Sequence, residues 1–336
     1  MTSTNHYSLR IFYIISSLIY IFTLDANHTF DFKYTQTIQL VNKNVLFATD
    51  SGIYIYDKSF SNLENSINYP SDLTINGDAD AQKITISKYS DGCVISIVKN
   101  YLYFFSKTGD VIYNEKLNDD VTEGEYYSLT PIKNNINDYY YIIGFVNSDK
   151  NLSLYYYKIN INTKSISLIH SYIYIPKQDD NITNTYIKEK GHSCELMYYI
   201  NQNVLTCFFE IDYPQSISTV SFALSNEIQN LNLDLAFSKH YTSGSVKSST
   251  KNDLTIALIC YCGANENVKC FNYSISKNIF GEEKIYSSYC KNTPLGLNIN
   301  YSPETEEFII SHLTYYPGAL NIFKFDKYLK DRKSVV

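Results

Sequence analysis

The sequence predicts an all-β fold, a β-propeller with about six blades of antiparallel strands and with seven as the alternative. Composition is the first reason: the 336 residues include 34 Tyr and 18 Phe, with 2 Met and no Trp. Aromatic and β-branched side chains suit pleated, half-buried strands. The second reason is a hairpin pattern that recurs along the chain at a nearly constant interval. No long window keeps the i, i+3, i+4 spacing of a helix.

The clearest copy of the hairpin is VLFATDSGIYIYDK, residues 45–58, in which an apolar run, an Asp-Ser-Gly turn and an alternating tyrosine run follow one another. Further copies start at residues 93, 139, 204, 254 and 308, so successive copies are 48, 46, 65, 50 and 54 residues apart. A propeller blade takes about 40 to 50 residues. The alternative architecture, a pair of two-sheet sandwiches, does not require this period.

Each hairpin is expected to belong to a larger blade, because a lone hairpin is marginally stable. A weaker strand follows two of the copies, in residues 108–117 and 162–175. Val and Ile of each hairpin's first strand are expected on the inner face. The Tyr and Phe of the second strand would alternate between neighbouring blades, with hydroxyls reaching solvent or backbone. The 65-residue step contains a polar insertion, residues 175–194, which predicts an enlarged connecting loop or a ligand-contacting protrusion.

The first hairpin also carries a short motif that resembles the repeats of bacterial sensor-type propellers. The matching residues are Thr49, Asp50, Gly52, Ile53, Tyr54, Tyr56 and Asp57. The other hairpins lack the motif, so the resemblance implies the propeller fold and no specific family.

The two ends of the chain predict a secreted protein with a single domain. Residues 11–24 carry no charge and follow Arg10, which is typical of a signal peptide or signal anchor spanning residues 1–26. The propeller is expected over residues 27–330. The last six residues, DRKSVV, resemble one frame of a sequencing adaptor, so the native chain is expected to continue past Lys330, where a membrane anchor could follow. The predicted location is extracellular or at the cell surface.

Secretion predicts glycans and disulfides. Sequons place glycan acceptors, expected on exposed turns, at Asn27, Asn151, Asn181, Asn272 and Asn300. Seven cysteines suggest three disulfides and one leftover thiol, Cys93. The expected pairs, from hairpin register and elimination, are Cys194–Cys207, Cys260–Cys270 and Cys262–Cys290. Zinc binding by Cys260, Cys262 and Cys270 is the less favoured alternative, because the spacing of zinc knuckles is missing.

Several function classes lack their sequence signals. Positive charges are scattered in a chain of net charge −6, which excludes a nucleic-acid binder. Arg10 and Arg332 are the two arginines, both outside the predicted propeller, which excludes the arginine clamp of a sialidase. No nucleophile elbow, phosphate loop or dinucleotide motif occurs, and the six histidines are dispersed. A weak calcium candidate remains in Asn76, Asp78 and Asp80, and no cofactor is predicted.

These observations predict a non-enzymatic extracellular binding or adhesion ectodomain that takes a protein or glycan ligand. The abundance of Asn, Lys, Ile and Tyr is typical of the AT-rich genome of a eukaryotic microbe. The alternatives are a secreted propeller-fold hydrolase acting on glycans, which would need a cluster of titratable groups, and a structural matrix protein, which would self-associate.

Overall fold

The computed structural model describes sixteen segments of the chain, in which all the regular structure is β. The segments are residues 35–76, 83–117, 127–175, 195–199, 203–211, 216–225, 227–230, 235–237, 247–250, 256–262, 268–274, 279–282, 284–287, 297–302, 307–313 and 320–326. Within these segments no helix has the length and apolarity needed to cross a membrane.

The described strands form six antiparallel sheets, and the first three sheets are meanders of four strands. Sheet 1 contains β1 (Thr35–Gln39), β2 (Val45–Thr49), β3 (Gly52–Tyr56) and β4 (Leu63–Asn68). Sheet 2 contains β5 (Ile84–Lys88), β6 (Val94–Val98), β7 (Tyr101–Phe105) and β8 (Val111–Lys116). Sheet 3 contains β9 (Ser128–Asn134), β10 (Asp138–Val146), β11 (Leu152–Asn160) and β12 (Ser165–Tyr174).

The remaining three sheets follow the same order with shorter outer strands. Sheet 4 contains β13 (Glu195–Tyr199), β14 (Val204–Ile211), β15 (Ser216–Leu224), β16 (Ile228–Asn230) and β17 (Leu235–Phe237). Sheet 5 contains β18 (Lys247–Thr250), β19 (Ile256–Cys262), β20 (Val268–Ser274), β21 (Ile279–Phe280) and β22 (Lys284–Ser287). Sheet 6 contains β23 (Leu297–Ser302), β24 (Glu307–Leu313) and β25 (Leu320–Asp326).

The molecule is a β-propeller, as predicted. The six predicted hairpins are the pairs β2–β3, β6–β7, β10–β11, β14–β15, β19–β20 and β24–β25, and their first strands begin within two residues of the expected positions. The first strand of each sheet contacts the first strand of the next sheet in the chain. These first strands therefore lie nearest the common axis. The expectation that the hairpin's own Val and Ile line the inner face is wrong, because a separate strand precedes each hairpin.

The core lies between neighbouring sheets, and β6 and β7 show how it is built. Val94 and Val98 of β6 pack in the apolar cluster shared with sheet 1, whereas Ile95 and Ile97 pack in the cluster shared with sheet 3. In β7, Phe105 packs in the cluster shared with sheet 1 and Phe104 in the cluster shared with sheet 3. Alternate residues of a strand point to opposite faces, so a sheet buried on both sides needs a nearly continuous apolar run.

The expectation that every tyrosine hydroxyl finds a partner is wrong for four tyrosines. Within the described part of the chain, no hydrogen-bond partner is present for the buried hydroxyls of Tyr89, Tyr103, Tyr113 and Tyr141. Their rings are almost completely buried between sheets. Burying so much apolar ring area is favourable enough to offset the cost of one unpaired hydroxyl, about 1 to 3 kcal/mol.

Because each sheet is an antiparallel meander, its turns lie at two opposite ends of the molecule. The turn end carries the β1–β2, β3–β4, β5–β6, β7–β8, β9–β10 and β11–β12 turns. The connection end carries the β2–β3, β6–β7 and β10–β11 turns together with residues 69–76, which follow β4.

A candidate binding surface at the connection end

Residues 69–76, which follow β4, lie at the connection end, and one of them is a buried leucine. Leu73, 5% exposed, packs in the core between sheets 1 and 2, and its N–H donates to the Pro70 carbonyl at 2.9 Å. The side chains on either side of Leu73, Asp72 and Thr74, are exposed. The anchored segment thus presents polar groups outward at a fixed place.

Three strands and turns bring further side chains to this segment. Tyr101, the first residue of β7, donates its hydroxyl to Asp72 Oδ2 at 2.6 Å. Lys116, the last residue of β8, places Nζ 3.7 Å from the same oxygen and 6.0 Å from the centre of the Tyr101 ring. Lys99, in the β6–β7 turn, donates Nζ to the Thr74 carbonyl at 2.7 Å. We call Asp72, Thr74, Lys99, Tyr101 and Lys116 the Tyr101 surface.

The groups of the Tyr101 surface stabilise the ionised form of Asp72 and the neutral form of Tyr101. The Tyr101 hydroxyl and, to a smaller extent, the Lys116 ammonium lower the pKa of the Asp72 carboxyl. The hydrogen bond to Asp72 raises the pKa of the Tyr101 phenol. The surface therefore brings a carboxylate, two lysine side chains and a half-buried tyrosine ring together in one place. This set can recognise a ligand by hydrogen bonds, charge and ring contact.

The motif of the first hairpin, which resembles the repeats of sensor-type propellers, lies beside the Tyr101 surface. Its contacts stabilise the β2–β3 turn. Thr49 Oγ1 accepts the N–H groups of Ser51 and Gly52, both at 3.1 Å, and closes the β2–β3 turn. A Cβ at Gly52 would lie 2.9 Å from the Ile67 carbonyl oxygen. Tyr69 donates its hydroxyl to the Thr49 carbonyl at 2.7 Å, which ties the start of residues 69–76 to this turn.

The calcium candidate falls partly on the same segment. Asn76 is exposed and donates Nδ2 to Thr74 Oγ1 at 3.2 Å, while Asp78 and Asp80 lie outside the described residues. The Lys99 ammonium already occupies the Thr74 carbonyl nearby. Among the described residues no group of three His, Cys, Asp or Glu side chains is placed to hold a metal ion.

The structure contains a disulfide between Cys260 and Cys270, which face each other in β19 and β20 with Cα atoms 4.1 Å apart. For Cys207 the expected register is wrong, because Leu196 lies opposite it. The β13–β14 turn is longer than expected and ends at Asn203, which has a left-handed backbone (φ 53°). The partners proposed for Cys207 and Cys262, Cys194 and Cys290, lie outside the described residues, so these two disulfides stay predictions.

The five sequons occupy different environments. Asn27 and Asn181 lie outside the described residues. Asn151 lies on the β10–β11 turn at the connection end, in agreement with an acceptor on a turn. Asn272 and Asn300 lie inside β20 and β23, so the expectation that they sit on exposed turns is wrong. Because Asn272 Oδ1 is buried, the Asn272 side chain is a poor acceptor for a glycan in the folded chain.

A second polar cluster, which was not predicted from the sequence, lies at the turn end between sheets 2 and 3. Asp91 Oδ2 accepts the Tyr139 hydroxyl at 2.8 Å and Asn134 Nδ2 at 2.9 Å, and Oδ1 accepts the Cys93 N–H at 3.0 Å. Cys93 Sγ lies 3.5 Å from the Tyr139 hydroxyl. Within the described part of the chain Cys93 is a free, partly buried thiol, and burial raises its pKa. The cluster joins two sheets and has no activated nucleophile.

Comparison with known proteins shows the fold and nothing finer. Neither a family model nor a curated relative matches the chain. Sqt1 of Saccharomyces cerevisiae, a propeller-type structure, superimposes with a TM-score of 0.51 at 10% identity, over 91% of this chain and 86% of Sqt1. A candidate 6-phosphogluconolactonase of Bacteroides fragilis superimposes with a TM-score of 0.51 at 12% identity, over 89% of this chain and 83% of that protein. At such low identity the likeness is one of architecture.

Proposed function

We propose that this chain is a non-enzymatic extracellular binding domain that takes a protein or glycan ligand at the Tyr101 surface. The observation that carries the proposal is the half-buried Tyr101 side chain, held between the exposed Asp72 and Lys116 at the connection end of the propeller. Tyrosine is enriched at protein interfaces because it buries a large area at a low cost in conformational entropy.

The arrangement around Tyr101 is better suited to binding a ligand than to stabilising the fold. The Asp72 and Lys116 side chains are 55% and 50% exposed and 3.7 Å apart, so each keeps hydrogen-bonding capacity toward solvent. Surface ion pairs of this kind contribute little to folding, about 0 to 1 kcal/mol. A ligand that covered them would strengthen both the ion pair and the cation–π contact by excluding water.

An extracellular location is supported by two independent features. The uncharged segment behind Arg10 is typical of a secretory leader. The Cys260–Cys270 disulfide is of the kind that persists in oxidising compartments.

Binding of the secreted full chain to glycan arrays and to intact cells tests the proposal. Tyr101→Ala is expected to reduce binding by about tenfold or more, the loss typical of an interface anchor, and Lys116→Ala by a smaller factor. Ile136→Ala and Lys58→Ala are the matched controls, because both are exposed at the turn end. Equal binding by Tyr101→Ala and Ile136→Ala, with both proteins folded, would show that the ligand binds elsewhere.

A further inference from the structure

Among the strands that the structure describes, β12 is the outer strand of sheet 3 and forms an open sheet edge. β12 pairs with β11 on one side, and in the described part of the chain no strand pairs with its other side. Such an edge presents unpaired N–H and C=O groups that can bind another strand. Proteins normally protect their edges with short strands, charged side chains or proline.

The corresponding edges of the neighbouring sheets carry this protection and β12 does not. β4 and β8 have six residues each and include Glu64, Glu115 and Lys116. The outer strands of sheets 4 and 5 that the structure describes have two to four residues. β12 has ten residues, and the sequence from Ser165 to Ile175 contains no Lys, Arg, Asp, Glu or Pro.

The inward side of β12 is fixed by the core, so the edge is held in an extended conformation. Tyr174 is 5% exposed and packs against Phe209 and Phe222 of sheet 4. His170 Nδ1 accepts the N–H of Ile228 at 3.3 Å. The register with β11 shifts at Ile169, so residues 165–168 and residues 170–174 form two regular stretches of the edge.

The side of residues 170–174 that faces away from sheet 4 carries Ser171 and an exposed isoleucine. Ile173 is 55% exposed, and Ile175, which follows β12, is 68% exposed. Burying an isoleucine side chain contributes about 1.5 to 3 kcal/mol when it is complete. An added strand would therefore gain apolar contacts as well as backbone hydrogen bonds.

We propose that β12 pairs antiparallel with β12 of a second copy of this chain and so forms a twofold-symmetric dimer. A strand that pairs with itself about a twofold axis covers both open edges in one contact. The chain carries a formal net charge of −6, and an uncharged segment is where two such copies meet with the least repulsion. The occupant is another copy because its own β12 has the required length and carries no Lys, Arg, Asp or Glu, and because it brings the same exposed Ile173 and Ile175 to the contact.

The dimer would be independent of the Tyr101 surface, since β12 belongs to sheet 3 and the Tyr101 surface to sheets 1 and 2. It would display two Tyr101 surfaces on one particle, which raises avidity for a ligand that is repeated on a cell surface.

Sedimentation velocity of the full chain over a concentration series tests this proposal. The wild type is expected to shift from monomer to dimer with rising concentration, and Ile173→Lys to raise the dissociation constant by about tenfold or more, because a lysine on an edge opposes strand pairing. Leu63→Lys on β4 and Val111→Lys on β8 are matched controls on the other outer strands, where both side chains are exposed, and should dimerise normally. Ser171→Lys provides a second variant of the same edge, and circular dichroism checks the folding of each protein.

A wild type that is monomeric at every concentration, or a dimer equally sensitive to Leu63→Lys and Ile173→Lys, would overturn the proposal. Slow hydrogen exchange of the outward-facing β12 amides in the dilute monomer would also overturn it, because the edge would then be covered within one chain. A monomer whose β12 amides become protected only on adding a neutral extended peptide would assign the edge to a different partner.

Discussion

Two tyrosine–aspartate pairs at opposite ends of the molecule use the same hydrogen bond in different surroundings. At the turn end Tyr139, 6% exposed, donates to Asp91 at 2.8 Å, and Asp91 also accepts from Asn134 and the Cys93 N–H. At the connection end Tyr101 donates to Asp72 at 2.6 Å, and Asp72 has the exposed Lys116 as its second partner. The first pair connects sheets 2 and 3, whereas the second pair is accessible to a ligand.

The difference teaches that the length of a hydrogen bond does not decide its contribution to folding. The exposed bond is the shorter one, but water replaces it at little cost when it breaks. The bond at the turn end is longer and partly buried, and breaking it removes the carboxylate partner of a phenol whose ring lies between two sheets. Stability should therefore depend on the turn end and binding on the connection end.

The largest expected effect is alkaline unfolding, driven by the buried tyrosines. Burial raises the pKa of Tyr139 above its ordinary value, and that of Tyr156 to about 12, from 10.0. Below pH 10 both the folded and the unfolded chain keep neutral phenols, so stability is complete. Above pH 10 the unfolded chain ionises first, and each unit of pKa difference removes up to about 1.4 kcal/mol of stability per tyrosine as the pH rises.

Phenolate absorbance measured against pH, in parallel with far-ultraviolet circular dichroism, checks this expectation. Exposed phenols such as Tyr101 should ionise while the sheets are intact, and Tyr139 only as they unfold. Tyr101→Phe should thus reduce the early change in absorbance and Tyr139→Phe the late one. Ionisation of all 34 tyrosines near pH 10 with an unchanged sheet signal would contradict the assignment.

A smaller effect is expected from removing each aspartate in turn. Asp91→Ala removes the acceptor of the buried Tyr139 hydroxyl and should lower the free energy of unfolding by about 2 kcal/mol. Asp72→Ala, the matched change at the connection end, should leave the urea midpoint at neutral pH unchanged within error. If the two variants lost the same stability, the contrast between the two ends would be wrong.

The glycine that follows Asp91 gives a third test at the turn end. Gly92 has φ +93°, and a Cβ there would lie 2.5 Å from Val41 Cγ2. Gly92→Ala should destabilise by about 1 to 2 kcal/mol, because backbone strain adds to a contact that the exposed Val41 can partly relieve. Gly281→Ala is the control, since its nearest contact would be an ordinary 3.4 Å. Thermal unfolding of both variants measures the difference.

The hairpins could be predicted from the sequence because both strands of each carry apolar and aromatic runs. Inner strands such as TQTIQ of β1 and KSST of β18 were missed because they are short and polar, so that strand pairing and the environment near the axis decide their structure. The Cys260–Cys270 register followed from a compact hairpin. The register at Cys207 did not, because turn length depends on a left-handed residue, Asn203, that sequence pattern does not reveal.

The Tyr101 surface could not be predicted because its residues meet only through tertiary packing. Asp72 and Tyr101 are separated by 29 residues, and Asp72 lies in a segment without any strand pattern. The position of Asp72 depends on the burial of its neighbour Leu73. A single apolar residue in a polar segment does not predict that burial. The same holds for Asp91 and Tyr139, 48 residues apart.

The smallest expected effect concerns the Asp72 carboxyl itself. The Tyr101 hydroxyl is the main cause that lowers the pKa of Asp72, and Lys116 contributes less. Tyr101→Phe keeps the ring and removes the hydrogen bond, so it should raise the Asp72 pKa further than Lys116→Gln does, with no change in the thermal midpoint at neutral pH. A carboxyl carbon titration by nuclear magnetic resonance measures both shifts. A lowered carboxyl pKa favours the folded state above the unfolded pKa, and this contribution is lost as the pH falls through the folded value. Because the pair is exposed, Tyr101→Phe should change the pKa of Asp72 while the sheets keep their stability, and the reverse outcome would mean that the Tyr101 surface is part of the structural frame.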